Sequence, residues 1–294
     1  MRVAGFTIVR NAIHYDYPIR EAILSALPLV DEMVVAVGQG TDGTRELVEA
    51  IDDPKIRIID TVWDDKLRTG GQVLAQQTNL AMSHCDGDWL LYLQADEVLH
   101  EADYGRIRDS MERYKDHPTV EGLSFRYHHF RGDYTIRDPL PYRWQVRVVR
   151  PGIGVTSHGD ACGFRRDGQK LKTAATGAWV FHYGYVRPPA KLSAKMDYFC
   201  SLYEGREVQP GEEDPAGQYV LDLGACEAFH GTHPAVMQER MQAKNWETPD
   251  VILMSRWRNP KFWGGLWHKN SRTIRRITDR LASSNSKTDR QRAA

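Results

Sequence analysis

Through the first hundred residues, short apolar runs alternate with stretches whose apolar residues recur at helical spacing. The runs at 2–9, 32–37, 57–60 and 89–93 have strand length, and those at 19–27, 45–51 and 72–82 place their apolar residues on one helical face. Thr41 or Asp42 stands where a side chain caps the second of these helices. This alternation predicts an α/β arrangement, a mostly parallel sheet with helices on its faces.

Beyond about residue 104 the rhythm changes. Longer β-like stretches at 122–130, 142–149 and 178–182 are separated by turns containing Gly and Pro, and a helix is expected over 188–203. Residues 204–218, rich in Gly, Pro and Glu, read as an exposed loop. Helical segments return from Pro234 and end with Ile274, Ile277 and Leu281 on one face, before a polar tail. Three regions follow: a ligand-binding half over 1–105, a mixed β/α half over 106–233, and a helical segment with a basic tail over 234–294. No internal repeat is visible.

With 294 residues, 41% hydrophobic and 27% charged, the chain has globular composition, which excludes disordered and collagen-like classes. No apolar stretch reaches the roughly 18–20 residues of a spanning helix. The first residues run directly into a strand pattern without a secretion signal, so a cytoplasmic address is expected. Lys plus Arg equals Asp plus Glu at 39 each, yet residues 255–294 hold 11 basic and 2 acidic side chains. That tail interleaves Arg256, Arg258, Lys261 and Lys269 with Trp257, Trp263 and Trp267. It suits peripheral contact with the inner face of an anionic membrane, or equally a helix packed by its tryptophans with a solvated basic face. The charge is confined to the tail and no nucleic-acid module accompanies it, so nucleic acid is not expected as a partner. Cys85, Cys162, Cys200 and Cys226 are too far apart for a zinc knuckle or redox pair and read as buried free thiols.

Ligands bind parallel sheets outside the carboxyl ends of their strands. Four such places carry chemistry here: Arg10-Asn11, the Gly-rich run Gly38 to Gly43, Asp60, and Gln94-Ala95-Asp96-Glu97. A carboxylate at Asp96 suits a divalent cation bridging nucleotide phosphates, since hard cations select oxygen ligands. The competing reading makes 96–97 a helix cap before 99–104. Gly38-Gln39-Gly40-Thr41-Asp42-Gly43 also satisfies the dinucleotide fingerprint with Asp60 about 20 residues on, the signature of a dinucleotide-dependent oxidoreductase. Against that, Asp42 would face the pyrophosphate with a negative charge, and the first and fourth strand ends would have no task.

Taken in order, Phe6-Thr7-Ile8-Val9-Arg10-Asn11, Val34 to Val37 leading to Gly40-Thr41-Asp42-Gly43-Thr44, Gln77-Thr78-Asn79-Leu80-Ala81, and Trp89 to Glu97 resemble family-2 glycosyltransferases with the GT-A fold. The resemblance covers about the first 105 residues. It implies an open twisted sheet of GT-A type, a nucleotide-diphosphate sugar as donor, a divalent metal (Mn2+ or Mg2+), and a glycan, glycolipid or other hydroxyl acceptor. The implied setting is assembly of a surface polysaccharide or other glycoconjugate. A binder of nucleotide sugar or glycan without turnover is the alternative within the same fold.

The resemblance places Asp96 at the last acid of the family's D-x-D, on the metal and diphosphate. Gln94 replaces the first acid and can hydrogen-bond a hydroxyl, while Val37-Gly38 replaces the usual acidic pair after strand two. Arg10, Asn11, Asp42, Asp60 and Asn79 are the remaining nucleotide-side candidates. His182 is implied as a second metal ligand, against a structural histidine after a strand. Inverting transfer needs a carboxylate that takes the acceptor's proton; Asp160, in the His158-Gly159-Asp160 segment, is the first choice and Glu97 the fallback. His230 and His233 read as a turn or as acceptor contacts, and Asp138 as a turn residue.

Overall fold

The computed structural model describes residues 1–64, 66, 67, 69–204, 223 and 225–248. The amino-terminal half contains β1 (Val3–Val9), α1 (Ala12–Tyr15), α2 (Ile19–Ala26), β2 (Glu32–Gly38), α3 (Thr44–Glu49), β3 (Ile56–Thr61), α4 (Gln72–Ser83) and β4 (Trp89–Tyr92). These strands lie parallel in the order β4-β1-β2-β3. Their near-continuous hydrophobicity has a simple cause: alternate residues face two different cores. Val9, Val35 and Leu91 pack on one side with Ile19 and Ile23 of α2, while Phe6, Val34 and Tyr92 pack on the other with Val73 and Ala81 of α4.

The second half adds β5 (Glu97–Leu99), α5 (Tyr104–Tyr114), β6 (Gly122–Arg131), β7 (Asp133–Asp138), β8 (Trp144–Val149), β9 (Val155–His158), β10 (Gly163–Arg166), β11 (Gln169–Lys170), β12 (Thr173–Tyr185), α6 (Pro189–Glu204), β13 (Glu227–Ala228) and α7 (Gln238–Gln242). The main sheet has ten strands, continuing antiparallel from β4 through β8 to β6, so it runs unbroken across the division expected at 105/106. Strand β12 lies parallel to β6 and antiparallel to β5, while β9, β10 and β11 form a separate small sheet. The α/β expectation holds, and the architecture is the curled, mostly parallel open sheet of GT-A type.

Several elements differ from expectation. Residues 96–97 do not cap a helix: β5 follows, and α5 starts at Tyr104. Helix α5 was not expected because only Ile107 and Met111 are buried in it, an apolar stripe too narrow to stand out. Its place is fixed by the Trp89 indole, which donates to the Met111 carbonyl at 2.9 Å. The 178–182 run is the middle of a thirteen-residue strand. The expected loop at 204–218 lies outside the described residues except for residue 204, the last of α6, and the basic tail lies wholly outside them. Among the described residues no helix is long and apolar enough to cross a membrane. All four cysteines are free; Cys226 is buried and the other three are half-buried.

Candidate active site

A cavity of about 300 Å³ opens at the carboxyl ends of β1 and β4, and α6 closes its far side. Arg10, Gln94, Asp96, Asp160, His182 and Lys195 line it, with Trp63, Tyr92 and Tyr198 among its apolar walls.

Strand pairing builds the centre of this site. Register on β12 sets His182 opposite Glu97 of β5 on one side and His129 of β6 on the other. The Tyr183 amide donates to the Asp96 carbonyl at 2.8 Å, which continues the ladder back to Asp96. Asp96 and His182 thus meet on one wall, with Oδ1 and Nε2 3.7 Å apart. Gly184 makes room for them: a methyl group there would stand 2.6 Å from the His182 ring and 3.0 Å from Asp96 Oδ2.

The hydrogen bonds fix the histidine tautomers. The Tyr142 carbonyl can only accept, so His129 Nε2, 2.8 Å away, carries a proton. Burial lowers the His129 pKa and keeps the ring neutral, leaving Nδ1 as an acceptor. His182 Nδ1, 3.0 Å distant, therefore donates to it. Burial also presses His182 down to about 3 against the pull of Asp96, so His182 is neutral and its Nε2 is a bare lone pair facing the carboxylate.

Burial alone would raise the Asp96 pKa, but the Lys195 and Arg187 charges outweigh it and hold the carboxyl well below the usual range. Lys195 Nζ donates to Asp96 Oδ2 at 3.1 Å and to the Gly184 carbonyl at 2.7 Å. Burial pulls this ammonium down to about 8, with Asp96 opposing, so it is charged at neutral pH. Arg187, fully buried behind, reaches to 4.0 Å from Asp96 Oδ2 and donates to the Tyr15 carbonyl.

An ionised oxygen and a bare imidazole nitrogen make a donor pair that suits Mn2+ better than the oxygen-selective Mg2+, with remaining positions left to phosphate oxygens and water. Among the described residues no group of three His, Cys, Asp or Glu side chains forms a complete cage. Lys195 occupies one carboxylate oxygen and His182 faces the other, so the pair fits a cation held jointly with an anionic ligand.

The other sequence candidates divide clearly. Arg10 lines the cavity, donates to the Gln39 carbonyl at 2.9 Å and lies over the Trp63 ring. Gln94 lines it next to Asp96, its amide reaching the Ala161 carbonyl at 3.4 Å. Asp160 lines the opposite wall, where Oδ2 accepts from the Tyr203 hydroxyl at 2.8 Å and Oδ1 from the Cys162 amide at 3.2 Å.

Glu97, the fallback base, is instead fully buried. Arg147 grips both its oxygens at 2.6 Å, and Tyr127 and the Gln94 amide donate to it as well. Every acceptor direction is taken, which leaves no free lone pair for an acceptor's proton.

Asn11, Asp42, Asp60 and Asn79 do not line the cavity. Asn11 adopts a left-handed backbone at φ 54°, with its side chain packed against Gly40. Asp42 accepts from the His14 amide at 2.8 Å and from Thr44 at 2.7 Å, tying α1 to the start of α3. Asp60 pairs with Arg45 at the sheet edge at 2.8 Å, and Asn79 receives the Ser157 amide at 2.7 Å, pinning β9 to α4. No residue from 38 to 43 lines the cavity; Gly38 packs under the Trp63 ring and Gly40 against Asn11, so the dinucleotide fingerprint lies outside it. His158 is exposed on β9, and His233 is committed at both nitrogens to Tyr183 and Tyr134. Asp138 is not in a turn but is the buried last residue of β7, accepting from the Leu140 amide at 2.9 Å and pairing with Arg131.

Sequence reasoning missed Lys195, Arg187, His129 and Arg147. Two left a signal: Lys195 falls on the stripe Leu192, Lys195, Tyr198, Leu202 of α6, and Arg147 interrupts Val146 and Val148 in a strand. A charge on a buried stripe needs a partner, and both found a carboxylate.

No curated protein matches the chain. Among solved structures, S. aureus TarS shares 12% identity over 73% of this chain, with a TM-score of 0.41; the chain spans only 42% of that protein. A fragment of TarS (1–349) in complex with UDP-GlcNAc shares 13% identity, covering 73% of this chain and 70% of the fragment, with a TM-score of 0.40. Glucosyl-3-phosphoglycerate synthase from Mycobacterium tuberculosis, in complex with Mn2+, UDP and phosphoglyceric acid, shares 14% over 68% of this chain and 76% of its own, with a TM-score of 0.39. The sequence model described as glycosyl transferase family 2 matches residues 9–168, more than half of the chain and the whole span from the end of β1 to the small sheet. The chain belongs to glycosyltransferase family 2.

Proposed function

We propose that the protein transfers a sugar from a nucleoside-diphosphate donor to a hydroxyl of a glycan, lipid-linked or other acceptor, with inversion and with assistance from a divalent cation. The observation that carries this reading is the wall formed by Asp96 and His182, an ionised carboxylate and a bare ring nitrogen 3.7 Å apart. The cavity around it holds more cations than acids, with Arg10, Arg131 and Lys195 against Asp96 and Asp160. Such a surface accepts a dianionic diphosphate.

Asp96 and His182 would hold the cation, which when bound supplies compensation for charge on the leaving diphosphate. Arg10, Arg131 and Lys195 attract and orient the diphosphate, and Gln94 offers an amide to a donor hydroxyl. Asp160 acts as base: its carboxylate takes the acceptor hydroxyl's proton while the acceptor oxygen bonds to the anomeric carbon. The bond from that carbon to the diphosphate breaks, its electron pair leaving with the nucleoside diphosphate. Tyr203 and the Cys162 amide keep the Asp160 side chain turned to the cavity. Contact of the basic tail with an anionic membrane surface belongs to this reading on grounds of charge alone.

Release of nucleoside diphosphate from a panel of donor sugars, with candidate glycan and lipid acceptors, tests it. Asp160→Asn is expected to bind donor with unchanged affinity and to lose turnover by about 100-fold or more, the scale of a general base. Unchanged turnover would move the base to another acid.

A further inference from the structure

A second cleft, of about 290 Å³, lies beside the donor cavity and shares His129, Pro141 and Tyr142 with it as a common wall. Its floor comes from strand register: Arg126 of β6 stands opposite Trp144 of β8 on one side and Trp179 of β12 on the other. The Arg126 guanidinium lies 5.0 Å from the Trp144 ring centre and 5.3 Å from that of Trp179. Trp144 is 42% exposed, which leaves its indole face open to a ligand.

The charges of the cleft are unevenly satisfied. Arg137 is paired with Glu227 and His128, and Asp138 with Arg131. Arg126 and Arg143 make no hydrogen bond or ion pair with any described residue, so the acids are neutralised and two guanidinium groups remain. Aromatic faces beside free guanidinium groups match a sugar ring that carries an acid: the ring stacks on indole, and the planar fork pairs with the acid.

We propose that this cleft binds an anionic saccharide, bearing a phosphate ester or a carboxylate, and that it is the acceptor's subsite. The acceptor role rests on the transfer reading above; the anion binding does not. Flanking indoles hold Arg126 in an extended plane, so little side-chain freedom is lost on binding. Across the shared wall, a saccharide seated here lies next to the cavity that contains Asp160.

The test is calorimetric titration of the full chain with glucose 6-phosphate, glucuronic acid, inorganic phosphate and uncharged glucose. The charged sugars are expected to bind at least about tenfold more tightly than glucose, and Arg126→Ala or Arg143→Ala to remove that advantage. Arg126→Lys should restore part of it, and Trp144→Ala should weaken the sugars but not inorganic phosphate. Preference between glucose 6-phosphate and glucuronic acid identifies which acid the cleft takes. Binding should be unaltered in Asp96→Asn, so the cleft survives even if the donor reading fails. Equal affinity for charged and uncharged sugar overturns the proposal. So does anion binding that is lost in Lys195→Met but retained in both arginine variants.

Discussion

Asp96 and Glu97 are adjacent acids with opposite surroundings. Asp96 meets two ammonium or guanidinium groups and a neutral imidazole at a cavity wall, whereas Glu97 is enclosed by Arg147 and Tyr127. Removing one member of a fully buried pair leaves the other charge without compensation, so Glu97→Gln should destabilise the fold by about 3–5 kcal/mol. Urea unfolding would measure it; a loss of turnover with unchanged stability would return Glu97 to a chemical role. Lys195→Met should act mainly on binding. The Arg187 guanidinium still faces Asp96 at 4.0 Å, so the fold should lose less than in Glu97→Gln, while nucleoside-diphosphate affinity falls about 10- to 100-fold through loss of a charged donor. Titration calorimetry separates the two effects.

At the scale of elements, the site depends on one short antiparallel pairing, β5 with β12, extended by β6. Gly184→Ala tests it. The added methyl would push the His182 ring from Asp96, and transfer should drop at least about tenfold while overpacking costs about 1–3 kcal/mol. Transfer assays and thermal melts on the same sample would show whether the ring's position matters to the chemistry. The parallel strands and their helices were legible in the sequence because both faces are buried and the apolar runs are long. Asp96 and Arg10 were legible because they end such runs. His129, Lys195 and Arg187 were not, since nothing local shows that β12 returns between β5 and β6 or that α6 lies across the cavity. Asn11, Asp42 and Asn79 misled for a related reason: near the strand ends, their polar groups are spent on holding neighbouring segments.

Across the whole molecule, the buried neutral histidines give the fold a defined response to acid. Burial and the Arg137 charge bring His128 down to about 3, whereas an unfolded histidine titrates near 6.5. Below about pH 6.5 the unfolded chain therefore binds protons that the folded chain refuses. Stability is complete above that pH and declines as pH falls toward 3. His128→Gln should flatten the decline in urea midpoint across that window; an unchanged slope would assign it to other groups.

One open sheet carries both the Asp96–His182 wall and the aromatic cleft beside it, the arrangement that the proposed transfer between two bound substrates requires. The most direct test is thermal stabilisation of the full chain and of Asp96→Asn by UDP-, GDP-, dTDP- and CMP-sugars, with and without Mn2+. One donor should raise the melting temperature of the parent protein, more strongly with Mn2+, and the metal-dependent part should vanish in Asp96→Asn. A variant stabilised as strongly as the parent by the same donor and metal would contradict the role of Asp96.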